Sequence, residues 1–506
     1  MRFLVALRHA GYARYLQSTL RALCERGHEV VVLVGIQAPT SKSHVGLLKR
    51  FAADLDELAE ELDGLTVRPG IEPRGSRQRD LGGSLRSWLD YLHFQEPEFA
   101  NAPKLRARSL SNLPAALREP TEKAAASPEF RASLAAMIRI VERSLPVQES
   151  VRSLLAEEWP DALVVCPLIE RRSPQVAYLR AAHELGIPSA VCVASWDNLT
   201  TSSLIHGEPD LVTVWNQAQR TEAVDIHGIA SEQVAVTGAP LYDRWFEQRP
   251  SSSRDEFCQR VGLPADRPFV LYVCSSGFIA PDEGAWIPDW IEAVRESRNP
   301  ELAELAVLIR PHPQHGLLGD ASSAARLDRT PGVVIHPREG ELSLSGSEVV
   351  DYYDSIYHSA AVVGVNTSAM IESAIVGRGV HVLLTKRYRD TQEGMPHFAH
   401  LRSSGGGLIE ATRKERQHAA RLARAVRGED RDQVAERSRR FLEAFVRPHG
   451  LDQPSTPVMV DQLEGLAERN PTPVAPPPDP PDDRLRAAIE ALEATFRLGN
   501  RPRRRG

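Results

Sequence analysis

Short runs of consecutive apolar residues, many of them β-branched, recur along this chain, and most lead into stretches whose apolar positions lie three and four apart. The first run, Phe3-Leu4-Val5-Ala6-Leu7, passes through a loop at 8–12 into an amphipathic helical pattern, then Gly27-His28 and the run Val30-Val31-Val32-Leu33. Apolar runs without polar alternation belong to strands covered on both faces, so this is a β-α-β start. The rhythm returns with runs at 162–166, 188–194, 211–215 and 234–237, among helical patterns at 174–185 and up to Ile226. A second series follows at 269–274, 306–309, 333–335, 361–365 and 380–384. Buried parallel strands alternating with helices predict an α/β protein with two doubly wound, Rossmann-like sheets. The predicted boundary falls at Gly238-Ala239-Pro240, giving domains at 1–238 and 239–447.

Two stretches leave this rhythm. Residues 36–157 hold helical patterns at 45–62, 81–92 and 128–155, with Trp88, Tyr91, His93 and Phe94 close together. They predict a helical insertion packed on the first domain; the other reading is an acceptor-side or membrane-docking surface. Residues 448–506 hold a Pro-rich stretch at 470–483, a short helical pattern at 484–498 and the basic end Arg501-Pro502-Arg503-Arg504-Arg505. The proline-rich composition favours an extended linker over packed structure. A solvated end is expected for the arginines, with contact to phospholipid headgroups as the alternative.

Composition adds bounds. A chain of 506 residues exceeds one ordinary core, and 42% hydrophobic with 25% charged residues matches a soluble globular protein. The net charge of −6 gives no reason to expect nucleic acid as a partner. Only six of the 61 basic residues are lysines, which reads as codon bias, so arginine abundance alone carries little functional weight. The apolar run after Met1 is too short for a signal peptide or a membrane span, and no other segment reaches spanning length. The expected location is the cytoplasm, with peripheral contact at the inner face of the membrane left open by the basic end. None of the five cysteines forms a C-x-x-C pair, which argues against zinc or a redox dithiol. Cys166, Cys192 and Cys274 lie in strand-like runs, as buried structural residues do.

Candidate chemistry gathers where predicted strands end, the edge at which open α/β sheets bind ligands. After the run at 361–365 come Asn366-Thr367-Ser368, in the place of a helix N-cap, with Glu372 one turn further on the same face as Ser368. A helix start offers N–H groups to an anion, and a carboxylate beside it suits sugar hydroxyls, so the pair suggests a bound nucleotide. Arg310-Pro311-His312-Pro313 closes another strand; the guanidinium offers a planar fork for phosphate, and prolines stiffen the turn. The alternative is a plain rigid turn. Ser275-Ser276-Gly277 permits close backbone approach to a phosphate, though taken alone it is a weak signal. His9, in the loop after the first strand, is a candidate general base, and Asp197 in Trp196-Asp197-Asn198-Leu199-Thr200 is the alternative. That segment suits a sugar stacked on Trp196, or else a turn capping the strand. The loop from Gln392 to Phe398 could reach a sugar or diphosphate, or only connect elements. The first βα turn lacks G-x-G-x-x-G and no P-loop occurs, which argues against a dehydrogenase. Asp54-Leu55-Asp56 lies in a helical pattern with both acids on its wet face, so no metal is assigned.

In order and spacing, Val236-Thr237-Gly238-Ala239-Pro240-Leu241-Tyr242-Asp243, Arg310-Pro311-His312 and Asn366-Thr367-Ser368 with Glu372 resemble members of the GT-B glycosyltransferase superfamily. The likeness is to bacterial surface-polysaccharide enzymes related to CDP-glycerol glycerophosphotransferases, and more distantly to non-hydrolysing UDP-N-acetylglucosamine 2-epimerases. It covers roughly residues 160–400 and the β-α-β start. The resemblance implies a GT-B fold, two Rossmann-like domains facing a cleft, with the nucleotide donor in the second and the acceptor in the first. It implies Ser276, Arg310, His312, Thr367 and Ser368 near the donor phosphates, Glu372 near the ribose, and His9 or Asp197 as base. It also implies a metal-independent glycosyltransferase without a cofactor, moving sugar from a nucleotide-diphosphate donor to an acceptor hydroxyl in cell-surface glycan synthesis. A CDP-polyol phosphotransferase and a non-catalytic GT-B scaffold are the alternatives. The nucleotide base, the sugar, the acceptor, the stereochemistry and the oligomeric state are not written in these motifs.

Overall fold

The computed structural model describes residues 1–35, 42–71, 77–313, 316–317, 321–338, 347–469, 486–487 and 489–492. The proline-rich stretch at 470–483 and the basic end at 501–505 lie outside the described residues; 486–487 and 489–492 of the short helical pattern are described and helical.

The first sheet contains β1 (Arg2–Leu7), β2 (Glu29–Val34), β3 (Leu65–Pro69), β4 (Ala162–Cys166), β5 (Ser189–Cys192), β6 (Leu211–Val214) and β7 (Val234–Val236). All pairings are parallel, in the order β3-β2-β1-β4-β5-β6-β7, with Phe3 flanked by Val30 and Ala162. The second sheet contains β8 (Phe269–Val273), β9 (Ala306–Arg310), β10 (Val333–Ile335), β11 (Ala361–Gly364), β12 (Val380–Leu383) and β13 (Glu410–Thr412). It is parallel too, in the order β10-β9-β8-β11-β12-β13. Helices cover both sheets, and the central strands are buried along their length. Each order reverses once, between β1 and β4 and between β8 and β11. At such a reversal the connections leave to opposite sides and open a crevice beyond the carboxyl ends of the strands.

Two strands depart from the sequence reading. β3 and β13 form sheet edges, and their sequences, Leu-Thr-Val-Arg-Pro and Glu-Ala-Thr, lack the apolar run. An edge strand is covered on fewer sides, so polar residues are tolerated there. β3 means that the β-α rhythm continues into the 36–157 stretch through the helix Lys42–Glu61. The pattern at 128–155 divides into Pro128–Ser144 and Glu149–Glu158, with Pro146 between them.

The described residues form two compact units: one holds 1–35, 58–236 and the described part of 457–506, the other 42–57 and 237–456. In the first unit the insertion has its own core, where Leu85, Trp88, Tyr91, Leu92 and Ile138 pack with Leu204 from the segment after β5. Burial of Trp88, Tyr91 and Phe94 gives these aromatics a packing role. The helix Ser455–Ala467 returns to this unit, where Met459 accepts from Thr19 Oγ1 at 3.5 Å, Asp461 pairs with Arg26 at 2.7 Å and Glu464 meets His28 at 2.7 Å. In the second unit Asp243 gathers Arg447 (2.7 Å), the Ser455 N–H (3.0 Å) and the N–H and hydroxyl of Thr456 (both 2.7 Å). Gly238 stands beside this cluster with φ +82°, and a Cβ there would lie 2.1 Å from Ser455 Oγ. No helix among the described residues is long and apolar enough to cross a membrane.

Candidate functional site

The reversal of the second sheet is bridged by Ser275, just beyond β8, and Asn366, just beyond β11. The Asn366 N–H donates to Ser275 Oγ at 3.2 Å. Asn366 Nδ2 donates to the Thr391 carbonyl at 2.8 Å and lies 3.1 Å from His397 Nε2. The Thr391 carbonyl fixes the amide orientation, since only the nitrogen can serve it. Asn366 Oδ1 is thereby left buried without a hydrogen-bond partner among the described residues. On the other side the Ser275 N–H donates to Glu283 Oε2 at 2.6 Å, and Tyr272 donates to Oε1 at 2.9 Å. Burial pushes the Glu283 carboxyl up to about 8; the Asp282 charge adds to this, and the two hydrogen bonds oppose it. A buried polar chain therefore runs from Tyr272 through Glu283, Ser275 and Asn366 to the loop at 391–397. Gln392 locks that loop by donating to the Leu383 carbonyl at 3.2 Å.

Around this chain the other expected groups are distributed unevenly. Ser276, Gly277 and Thr367 are half-buried, and Ser368 is exposed. Ser368 occupies the N-cap position of the helix Ala369–Ile375 but makes no side-chain capping bond, and the helix has only seven residues. Within the expected cap stretch it is Thr367 whose hydroxyl accepts from a helix-start N–H, that of Ala369 at 3.5 Å, while Asn366 turns inward. Arg310 is buried at the end of β9 and donates through Nη1 to Asp351 Oδ2 at 2.9 Å and Ser355 Oγ at 2.6 Å. Burial alone would raise the Asp351 carboxyl, but the hydrogen bond from His336 (3.0 Å) and the Arg310 charge hold it well below the usual carboxylate range. The Arg310 guanidinium also lies 5.0 Å from the Tyr352 ring centre, and the Tyr352 hydroxyl donates to Glu372. Glu372 is thus linked to Arg310 through Tyr352. His312 closes a tight turn by exchanging backbone bonds with Gly316, at 2.8 and 3.3 Å.

In the first unit, His9 follows β1, and its Nδ1 accepts from the Gly11 N–H at 3.1 Å. The neutral ring then carries its proton on Nε2 and acts there as a donor. Arg8 Nε donates to Glu170 Oε2 at 3.2 Å, and the Tyr12 hydroxyl donates to Glu170 Oε1. Asp197 stands beyond β5 at the start of the short helix Asn198–Thr201; its carbonyl accepts from Thr201 Oγ1 at 2.8 Å, and Asn198 Oδ1 accepts from the Ser195 N–H at 2.9 Å. The segment therefore forms a capping turn. Trp196 is 4% exposed, so its ring packs into the unit instead of offering a face to a sugar.

Several participants carry no motif. Asp351, Tyr352 and Ser355 come from the helix Ser347–Tyr357, His336 from the end of β10, and Glu283 from the start of the helix Glu283–Arg295. Spacing offers one partial signal, since Asp351 and Ser355 are four apart and share a helix face. All five cysteines are buried. Among the described residues no group of three His, Cys, Asp or Glu side chains is placed to hold a metal ion.

No family model and no curated protein matches this chain in sequence. Solved structures do match. The UDP-GlcNAc 2-epimerase of Neisseria meningitidis, bound to UDP-GlcNAc, is similar at 12% identity with a TM-score of 0.50, over 92% of this chain and 100% of that one. The Methanocaldococcus jannaschii UDP-GlcNAc 2-epimerase gives 11% identity and a TM-score of 0.50, over 92% and 99%. A glycosyltransferase from Rickettsia africae ESF-5 gives 8% identity and a TM-score of 0.51, over 93% and 99%. The likeness is one of fold: the chain has the two-domain, doubly wound architecture of the GT-B type.

Proposed function

We propose that this protein is a metal-independent GT-B glycosyltransferase that uses a nucleotide-diphosphate sugar. The observation that supports it most is the polar chain at the reversal of the second sheet, where buried Asn366 keeps an unserved carboxamide oxygen beside half-buried Ser276, Gly277 and Thr367. That oxygen accepts, and so suits a hydroxyl of the sugar or ribose, while the small half-buried residues after β8 and β11 allow close backbone approach to a diphosphate. In this reading Ser276, Thr367, Ser368 and His312 meet the diphosphate. Arg310 contributes a positive field tempered by Asp351, and Glu372 accepts from ribose hydroxyls. Charge that builds on the departing diphosphate is stabilised by groups already in place, so little reorganisation is needed at the moment of reaction. The acceptor hydroxyl belongs to the first unit, where His9 and Asp197 were expected to act. The fold shared with proteins that bind UDP-GlcNAc supports the choice of donor class.

A thermal-shift panel of UDP, GDP, CDP, dTDP and ADP sugars tests the reading. A bound donor at a hundred times its Kd adds about 2.7 kcal/mol to the stability of the folded state. One nucleotide series should raise the midpoint above the others; no response to any of them would refute a nucleotide-sugar enzyme. Product analysis then fixes the reaction: transfer leaves sugar on the acceptor, polyol-phosphate transfer leaves phosphorus there, and epimerisation leaves an altered sugar on its nucleotide.

A further inference from the structure

Resting on the transferase reading, we propose that Glu170, at the reversal of the first sheet, is the residue that takes the proton from the acceptor hydroxyl. The loop carrying it leaves the end of β4, next to the loop that leaves β1, and this pair of strands borders the crevice where open α/β sheets bind ligands. Arg8 Nε and the Tyr12 hydroxyl each hold one carboxylate oxygen, while the side chain keeps 29% of its surface exposed. Each oxygen retains a second lone pair, so the carboxylate is oriented and still able to accept from a ligand. Burial, and then the Glu170 charge, raises the Tyr12 phenol well above its ordinary value, so Tyr12 remains a donor at working pH.

The two residues expected in this role are placed differently. His9 presents a protonated Nε2 in its neutral form, and its ring lies 4.5 Å from that of Tyr12. Asp197 sits one strand further along the sheet, in a capping turn, with Oδ2 3.4 Å from Thr201 Oγ1. The Glu170 loop also carries backbone strain. Leu168 (φ +26°) and Arg172 (φ +53°) are non-glycine residues in left-handed conformations, which are strained and persist only where the surroundings impose them. Gln175 Nε2 supplies part of that constraint, donating to the carbonyls of Ala6 at 2.7 Å and Cys166 at 2.9 Å. Arg172 supplies more, donating to Ser87 Oγ at 3.3 Å and the Asn112 carbonyl at 3.2 Å.

In the step itself, the acceptor O–H bond breaks and its proton moves to a Glu170 oxygen. The acceptor oxygen forms a bond to the anomeric carbon, and the bond from that carbon to the diphosphate oxygen breaks. The electron pair leaves with the nucleoside diphosphate, and Glu170 later returns its proton to water.

The test uses the full chain, the nucleotide sugar selected by the thermal-shift panel, and water or an added glycoside as acceptor. Glu170→Gln should keep the nucleotide-induced shift and lower nucleoside diphosphate release about 100-fold or more. Formate added to Glu170→Ala should restore part of the rate. Tyr12→Phe, which removes a hydrogen-bond donor from the carboxylate, should lower kcat severalfold and leave the nucleotide-induced shift unchanged. Release by Glu170→Gln within about threefold of wild type, or no recovery of Glu170→Ala with formate, would overturn the assignment and leave the transferase reading standing. A wild-type protein that binds no panel member sinks both.

Discussion

Glu283 offers a sharp physical test of the second unit. Its carboxyl is 1% exposed and pushed up to about 8, so near neutrality the folded protein holds a proton there that the unfolded chain releases. Because the folded value lies above the unfolded one, stability from this group is greatest below the ordinary value of 4.5 and falls as pH rises towards 8. Each pH unit in that window is worth about 1.4 kcal/mol, so its full width amounts to about 5 kcal/mol. Glu283→Gln copies the protonated acid: its oxygen can accept from the Ser275 N–H, and its amide can donate to the Tyr272 oxygen. Wild type and variant should therefore agree at pH 5 and separate progressively, with Glu283→Gln more stable by several kcal/mol at pH 8. Hydrogen exchange of the β8 and β11 amides, compared between the two proteins at each pH, reads this unit by itself. Parallel pH dependences, or a variant less stable throughout, would refute the argument that Glu283 is held protonated.

Glu372→Ala should weaken nucleotide binding severalfold or more while leaving the fold intact; unchanged affinity by calorimetry would remove Glu372 from the site. Asp243→Ala strips the partner from buried Arg447 and from two backbone N–H groups, and should cost about 3–5 kcal/mol in denaturant unfolding. Gly238→Ala forces a side chain into a left-handed backbone and against Ser455, and should lower stability by at least about 1–3 kcal/mol, read as a fall in Tm.

Eleven of the thirteen strands among the described residues are visible as apolar runs, because strands covered on both faces must exclude polar residues. β3 and β13 escaped because edges tolerate Arg68 and Glu410. At the candidate site, chain position was legible and partnership was not. Ser275, Arg310 and Asn366 could be placed at strand ends from the pattern alone. That Arg310 would face Asp351, and Asn366 the Thr391 carbonyl, depends on how distant segments pack. Glu170 gave no signal, since the loop around it adopts left-handed conformations at Leu168 and Arg172, without the glycines that usually announce them.

The return of the helix Ser455–Ala467 to the first unit bears on how the protein is born. During synthesis β1 to β7 emerge first, yet Met459, Asp461 and Glu464, the partners of Thr19, Arg26 and His28, lie far downstream. The main segment of the second unit is complete before they do. The nascent first unit must therefore wait, with this face of the helix Ala13–Glu25 uncovered, until residues 455–467 have been made.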